Sequence, residues 1–282
     1  MVTAAAAKEL AALVQQDIDA LRPTRLFTSG GSSKMPEAGQ QLQLSDAYQI
    51  QVELRRLREA RGEVCCGFKV GCTSPTIQTT FGLSQPVRAY CWEAERRQDQ
   101  ATLSAAAFRS LAIEGELAVY VIDSRPTDVL DWVVEWAPVI ELHHYVWDGT
   151  PPTSVELVGR NAIHAGLVET AVRSRGTLKD IPSQSMCAVS VDGELVGEEP
   201  LAALNAGQGF PGGPVGTFSW LAEQLKAVEA TQPEDWQRLQ QPDSVVITSS
   251  PAGLYPVAAG DEVLVSCCGM EVGCTVVAAA KL

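Results

Sequence analysis

The most constraining feature of the sequence is a change in the spacing of its apolar residues near residue 62. Before that point, apolar residues recur at helical spacing over 10–21 and over 47–57, where the second stripe ends at Gly62. After it, short apolar segments alternate with glycine, proline and polar residues, which is typical of β-strands. Helices first and strands later predict an α+β fold. We expect an N-terminal helical region at 1–62 and a β-rich core at 63–282, integrated into one domain.

Individual elements are predicted from the same patterns. Ile113–Ile122 and Val139–Val146 are predicted strands, and Asp123–Trp136 between them is a predicted helix. Met186–Val196 is predicted to be a hairpin, because Asp192-Gly193 favours the tight turns of hairpins. The remaining expectations are an exposed loop over Thr28–Gln43, a helix capped by Ser45 and a helix over Pro214–Val228.

Composition and charge bound the class of protein and its partners. Hydrophobic residues make up 46% of the 282 residues and charged residues 20%, as in a globular protein with a full core. The net charge of −13 disfavours nucleic acid and anionic membranes as partners, and no apolar run reaches the ~18 residues that span a bilayer. The eight cysteines include no Cys-x-x-Cys pair, so we expect reduced thiols. These features predict a cytoplasmic enzyme.

Two motifs are better explained by structure than by chemistry. Gly207-Gln-Gly209-Phe-Pro-Gly212 has the letters of a dinucleotide-binding fingerprint, but its proline breaks the helix that this motif requires, so a loop is predicted. His143 and His144 point to opposite faces of a predicted strand. Without a Ser-His-Asp context, each of these histidines, and His164 as well, is predicted to be packed or at the surface.

Glu114-Gly115-Glu116 is the most informative motif. On a strand both carboxylates project from one face, while Ile113 and Leu117 belong to an apolar face opposite. Adjacent carboxylates repel each other, so holding them near a core requires a compensating cation or arginine. A solvated strand face is the alternative explanation, because Glu-x-Glu is common on such faces.

Glu141 and Lys69 extend this pattern. Glu141 lies in Val139-Ile140-Glu141-Leu142, where apolar neighbours make an unpaired carboxylate costly. Three carboxylates suit a hard divalent cation such as Mg²⁺ or Mn²⁺, with positions left for water and substrate oxygens. Lys69 shares a strand face with two glycines, which leave room for a ligand beside its ammonium. It is either functional or a lysine whose end reaches solvent.

These residues belong to an ordered set of segments. The set comprises Asp46–Gln51, Gly67–Ser74, Glu114–Leu117, Glu141, Asn161, Asp192–Glu194, Trp220–Ala222, Ser249–Leu254 and Gly260-Asp261. In this order they resemble the 2-keto-4-pentenoate hydratases and 4-oxalocrotonate decarboxylases of the fumarylacetoacetate hydrolase superfamily. Within the set, Ser249–Leu254 resembles the Gly-Thr-Pro-x-Gly-Val segment of the acylpyruvase branch of that superfamily. The similarity extends over nearly the whole chain, and the ordered set is far more specific than any single motif.

The resemblance implies a fold, a site and a class of reaction. The implied fold is a mixed β-roll core with N-terminal helices, assembled as a homo-oligomer. By position, Glu114, Glu116 and Glu141 are the metal ligands, Lys69 the catalytic lysine, and Ser250 a substrate contact. The implied reaction is hydration of a 2-hydroxy-2,4-dienoate, a small 2-oxo acid in its enol form. Decarboxylation of a 2-oxo acid and hydrolysis of an acylpyruvate at the same site are the alternatives.

The chain departs from the family pattern near the expected site. Val87-Arg88 stands where hydratases place an acidic residue, and Arg160 and Ile163 replace the Asp and Ser of an Asp-Asn-Ala-Ser run. The stretch Gly197–Pro214 is longer than the family's tight glycine-rich turn. Metal binding survives this comparison better than the hydratase reaction does, because the replaced groups are expected to move protons. The alternative of another class is a non-catalytic ligand-binding or scaffold protein on the same fold.

Overall fold

A computed structural model of the chain describes residues 2–22, 42–145, 152–207 and 209–278. Within these ranges the helices are α1 (Ala4–Asp19), α2 (Leu44–Ala60), α3 (Pro75–Phe81), α4 (Ser154–Gly159), α5 (Pro214–Ala227) and α6 (Pro233–Leu239). The helices α1 and α2 pack on each other through a small apolar cluster of their own. The helix α5 confirms the helix predicted over Pro214–Val228.

The described residues also form fourteen strands. In chain order these are β1 (Cys65–Gly71), β2 (Val87–Trp92), β3 (Arg96–Gln98), β4 (Ala101–Ser104), β5 (Leu111–Asp123), β6 (Val133–His144), β7 (His164–Glu169), β8 (Ser174–Thr177), β9 (Met186–Val191), β10 (Glu194–Pro200), β11 (Val245–Ile247), β12 (Leu254–Pro256), β13 (Glu262–Cys267) and β14 (Met270–Val277). They make two sheets, and the boundary predicted at residue 62 falls between α2 and β1. The division of the chain into a helical region and a core stays a prediction.

The larger sheet curls until its ends meet. Its strands follow the order β2-β1-β11-β5-β6-β7-β3, with β12 also paired to β5 and β8 to β6. Although β2 and β7 lie far apart in this order, they contact each other. One buried cluster joins residues of six strands across the inner face, including Cys91 of β2, Tyr120 of β5 and Leu167 of β7. This inner face is where the candidate site lies.

The smaller sheet covers the outer face of the larger one. Its order is β10-β9-β13-β14-β4, and its apolar residues join the outer face of β5 in the main core. Gly115 permits this approach, because a Cβ atom there would lie 2.5 Å from Cγ2 of Val189. The predicted hairpin is confirmed as β9 and β10, and both Asp192 and Gly193 have positive φ angles, as a tight hairpin turn requires.

The helix predicted at Asp123–Trp136 is wrong. Val129, Leu130, Val133 and Trp136 follow helical spacing, but only Val129–Asp131 forms a short 3₁₀ turn. From Val133 onward the chain pairs with both β5 and β8, so tertiary pairing overrides the local pattern.

Two smaller expectations also have outcomes. The helix α2 begins at Leu44, where the Asp46 carboxylate accepts a hydrogen bond from the backbone N–H of Gln43, so the cap predicted at Ser45 is wrong. The loop predicted at Thr28–Gln43 lies almost entirely outside the described residues.

All eight cysteines are free, and six of them are buried. None of the helices described here has the length and apolar character required to cross a membrane.

Candidate functional site

Strand pairing brings Glu114 and Glu141 together on the inner face. Glu114 of β5 lies directly opposite Glu141 of β6, and Glu116 lies opposite Val139. Since paired residues share a face, all three carboxylates project inward. The opposite face carries Ile113 and the other apolar residues of β5 in the main core, as the alternation predicts.

Lys69 reaches the same face from β1 and pairs with Glu141. Its Nζ lies 3.1 Å from Oε1 and 3.3 Å from Oε2 of Glu141. Burial alone lowers the pKa of this ammonium, but Glu141 and then Glu114 outweigh burial and raise it. A Cβ atom at Gly71 would lie 3.4 Å from Nζ, so this glycine leaves the space beside the ammonium open, as predicted.

The pKa values of the two buried carboxylates, Glu141 and Glu116, shift in opposite directions. Burial raises the pKa of Glu141, but Lys69 and the neighbouring histidines lower it well below its usual range. Burial and the negative charge of Glu141 raise the pKa of Glu116 well above its usual range. Both oxygens of Glu116 are buried without a hydrogen-bond partner. These surroundings therefore favour the ionised form of Glu141 and the protonated form of Glu116.

His143 and His164 are packed in the interior, as one of the two predicted alternatives has it, and they also lie against the carboxylate cluster, which the sequence did not predict. Nδ1 of His164 lies 2.6 Å from Oε1 of Glu141. On the other side, Nε2 of His143 lies 2.9 Å from Oε2 of Glu114 and 3.5 Å from Oε2 of Glu141. His144 points the opposite way, as predicted, and its Nδ1 accepts a hydrogen bond from the backbone of Arg109. The sequence signal was the spacing of Glu141 and His143, two apart on one strand.

A cavity of about 650 Å³ opens beside these groups. Lys69, Glu114 and His143 form part of its polar lining, whereas Glu116 and Glu141 lie beneath, fully buried. Ser250, on the loop after β11, lies at the edge of the cavity, where its hydroxyl exchanges hydrogen bonds with the backbone of Gly253. The rest of the wall is mostly apolar and includes Ile77, Phe81, Val87, Leu157, Ala162, Ile163 and Leu254.

A strained turn positions part of that wall. Asn161, Ala162 and Ile163 have φ angles of 54°, 47° and 58°, the left-handed region that L-residues other than Asn rarely adopt. The side chain of Asn161 fixes the turn, because it accepts a hydrogen bond from the backbone N–H of Tyr90 at 2.8 Å and donates one to its carbonyl at 2.9 Å. These bonds join β2 to the segment before β7 and present Ile163 to the cavity.

Of the residues that depart from the family pattern, two line the cavity and two point away from it. Val87 and Ile163 line the cavity with apolar surface. Arg88 lies instead over the ring of Tyr48, and Nη1 of Arg160 donates to the backbone carbonyl of Arg22. The replaced positions therefore make the cavity wall more apolar and place neither guanidinium among its lining residues.

The donor set fits a divalent cation. One ligand atom each from Glu114, Glu141 and His143 lies within 4.8 Å of the others. Glu116 is not part of this group, but its two unpartnered oxygens are the orphaned buried acceptors that a cation would satisfy. Carboxylate and imidazole donors match the ligands of Mg²⁺, Mn²⁺ and other divalent metals.

Comparison with known proteins gives consistent similarities, although no family model matches the chain. The chain is 25% identical to a 2-hydroxyhexa-2,4-dienoate hydratase of Comamonas testosteroni over 232 residues, which cover 78% of this chain and 81% of the relative. It is similar in structure to 4-oxalocrotonate decarboxylase from Pseudomonas putida G7 complexed with magnesium and adipate, with a TM-score of 0.78 and 19% identity over 98% of this chain and 99% of that one.

A fumarylpyruvate hydrolase from Pseudomonas aeruginosa, in complex with Mn²⁺ and pyruvate, matches with a TM-score of 0.50 and 14% identity, over 74% of this chain and 88% of that one. These folds confirm the predicted α+β architecture of helices and mixed curled sheets. Two similarities agree with the ordered set of segments found in the sequence. One is the sequence similarity to the dienoate hydratase, and the other is the fold match over 99% of the decarboxylase. The chain is therefore similar in sequence to a dienoate hydratase and has the fold of 4-oxalocrotonate decarboxylase.

Proposed function

We propose that the protein is a divalent-metal-dependent hydratase of a 2-hydroxy-2,4-dienoate that bears one carboxylate and an apolar tail. The observation that carries this proposal is the cavity itself, in which a cluster of carboxylates and Lys69 meets a largely apolar wall. A small anionic 2-oxo acid needs a local positive centre in a protein whose net charge is −13. The similarity to a dienoate hydratase supports the same choice.

In this proposal Glu114, Glu116 and Glu141 are the acidic ligands of Mg²⁺ or Mn²⁺. The cation supplies Lewis acidity toward the oxygens of a 2-oxo acid. His164, hydrogen-bonded to Glu141 within the buried cluster, orients that carboxylate and limits its rotation. The apolar wall excludes bulk water from the tail of the substrate and strengthens the electrostatic contacts at the polar end of the cavity.

Lys69 has two roles that this site permits. Its ammonium lies at the cavity surface beside Glu141, where it holds the substrate carboxylate or moves a proton at a substrate carbon. We favour the proton-transfer role. Ser250 lies at the cavity edge with its hydroxyl in reach of a ligand, and we propose that it contacts the substrate.

The charge along the cavity argues for one carboxylate on the substrate. Among the described residues, the basic side chains that line the cavity are Lys69 and His143, both at the polar end. Glu199 of β10 lies at the rim. A second carboxylate at the far end of a substrate would meet the apolar wall or this like charge, and both are unfavourable.

The direct test mixes metal-free protein with 2-hydroxypenta-2,4-dienoate and follows the ultraviolet absorbance of the diene. We expect the absorbance to decay only after Mg²⁺ or Mn²⁺ is added, with a 4-hydroxy-2-oxo acid as the product. If neither dienoates nor acylpyruvates are bound or converted in the presence of metal, the proposed function is wrong.

A decarboxylase is the second candidate, because the fold match to 4-oxalocrotonate decarboxylase extends over the whole of that protein. Its substrate, an oxalocrotonate, carries two carboxylates, and its structure was solved with adipate, also a dicarboxylate. The Glu199→Gln variant tests the role of charge at the rim. We expect it to improve binding of dicarboxylates relative to monocarboxylates, whereas Glu198→Gln, on the neighbouring residue outside the cavity, leaves the ratio unchanged.

A further inference from the structure

The imidazole of His143 is aimed at the carboxylate cluster without a hydrogen bond to hold it there. The residue is 1% exposed, and neither ring nitrogen has a hydrogen-bond partner. Nε2 nevertheless lies 2.9 Å from a carboxylate oxygen of Glu114, in a geometry that does not make a hydrogen bond. Buried imidazole nitrogens are normally bonded, so this arrangement calls for a further partner at the same point.

Strand geometry explains why His143 shares this point with the carboxylates. His143 and Glu141 are two residues apart on β6 and therefore share its inner face. Glu114 lies directly across from Glu141 on β5. The three side chains bring two oxygens and one nitrogen within 4.8 Å of one another, close enough for one ion to bind all three.

We propose that His143 is a nitrogen ligand of the metal, and that the site therefore binds a first-row transition metal such as Mn²⁺ in preference to Mg²⁺. The inference rests on the metal site of the proposed function and adds the identity of the ion. Mg²⁺ binds almost entirely through oxygen, whereas imidazole is a good ligand for the transition metals. His164 stays outside the group of three and contacts the Glu141 carboxylate through Nδ1.

The test uses the whole protein, stripped of metal and titrated with Mn²⁺ alone and in competition with Mg²⁺. Pulsed electron paramagnetic resonance of the bound Mn²⁺ reports a nitrogen ligand directly, through its hyperfine coupling. We expect Mn²⁺ to displace Mg²⁺, and the spectrum to show a coupled imidazole nitrogen. Labelling the histidines with ¹⁵N must change that coupling if the ligand is a histidine nitrogen. This control uses the unsubstituted protein, so it holds even if a variant fails to fold.

Variants assign the coupling to one residue. We expect His143→Gln to abolish the coupling and to weaken Mn²⁺ binding by at least about tenfold. Removing a residue that only orients a metal ligand already weakens binding by about tenfold or more, so the loss of a direct ligand should cost no less. His144→Gln is the matched control, since this neighbouring histidine points away from the cluster and binds the backbone of Arg109. It should leave both measurements unchanged.

The failures of the two proposals are distinguishable. Mn²⁺ bound without nitrogen coupling, or with coupling that persists in His143→Gln, would overturn the role of His143 while metal-dependent hydration still stood. Tighter binding of Mg²⁺ than of Mn²⁺ would overturn the preference. A protein that binds neither ion and converts no dienoate would overturn both the inference and the proposed function.

Discussion

Replacing Asn161 with alanine tests how the structure holds the cavity wall in place. The side chain of Asn161 satisfies both the N–H and the carbonyl of Tyr90, a residue that is 1% exposed. Each of these groups left unpaired costs about 1–3 kcal/mol. The left-handed backbone at φ 54° adds about 1 kcal/mol, because alanine tolerates it less well than asparagine.

We therefore expect Asn161→Ala to lower the free energy of unfolding by about 3–5 kcal/mol, toward the lower end of the summed penalties because relaxation and water recover part of the loss. Urea unfolding followed by fluorescence measures this change. The control is Asn205→Ala, which removes one hydrogen bond at an exposed position and should cost less than about 1 kcal/mol. A loss for Asn161→Ala as small as the control's would refute the assignment of Asn161 as the link between β2 and the segment before β7.

Three further substitutions probe the packing, the metal and the chemistry. Gly115→Ala should lower stability by about 1–3 kcal/mol in urea unfolding, because the new methyl group would press on Val189 and separate the two sheets. Glu116→Gln should weaken Mn²⁺ binding at least about tenfold, measured by water proton relaxation, and equal binding would remove Glu116 from the ligands. Lys69→Met should retain the fold and the metal but lower kcat at saturating substrate; a raised KM with unchanged kcat would assign Lys69 to binding instead.

The sequence was most informative where side-chain direction follows from the strand period alone. Alternation along β5 correctly separates Glu114 and Glu116 from the apolar face, and Gly71 correctly indicates open space beside Lys69. Both conclusions need only one strand, because the period of two is a local property of the backbone. The space at Gly67 is instead filled by the backbone of Val245.

Which residues come close enough to bind one metal ion depends on how the strands pair, and the sequence alone does not show that pairing. Side chains two apart on a strand are separated by roughly 6.6 Å along it, whereas directly opposed side chains are about 4.5–5.5 Å apart at Cβ. Glu114 therefore meets Glu141 across the strands more closely than it meets Glu116. His164 reaches Glu141 only because β7 pairs with β6, and its position in the sequence gave no sign of that contact.

The most direct test of the proposed function is product analysis by mass spectrometry in heavy-oxygen water. Metal-loaded protein is incubated with 2-hydroxyhexa-2,4-dienoate and, separately, with 4-oxalocrotonate. We predict that the monocarboxylate gains one molecule of labelled water across its double bond and loses no carbon dioxide, while the dicarboxylate is converted poorly. Rapid loss of carbon dioxide from the dicarboxylate, with no labelled water added to the dienoate, would contradict the assignment and identify the protein as a decarboxylase.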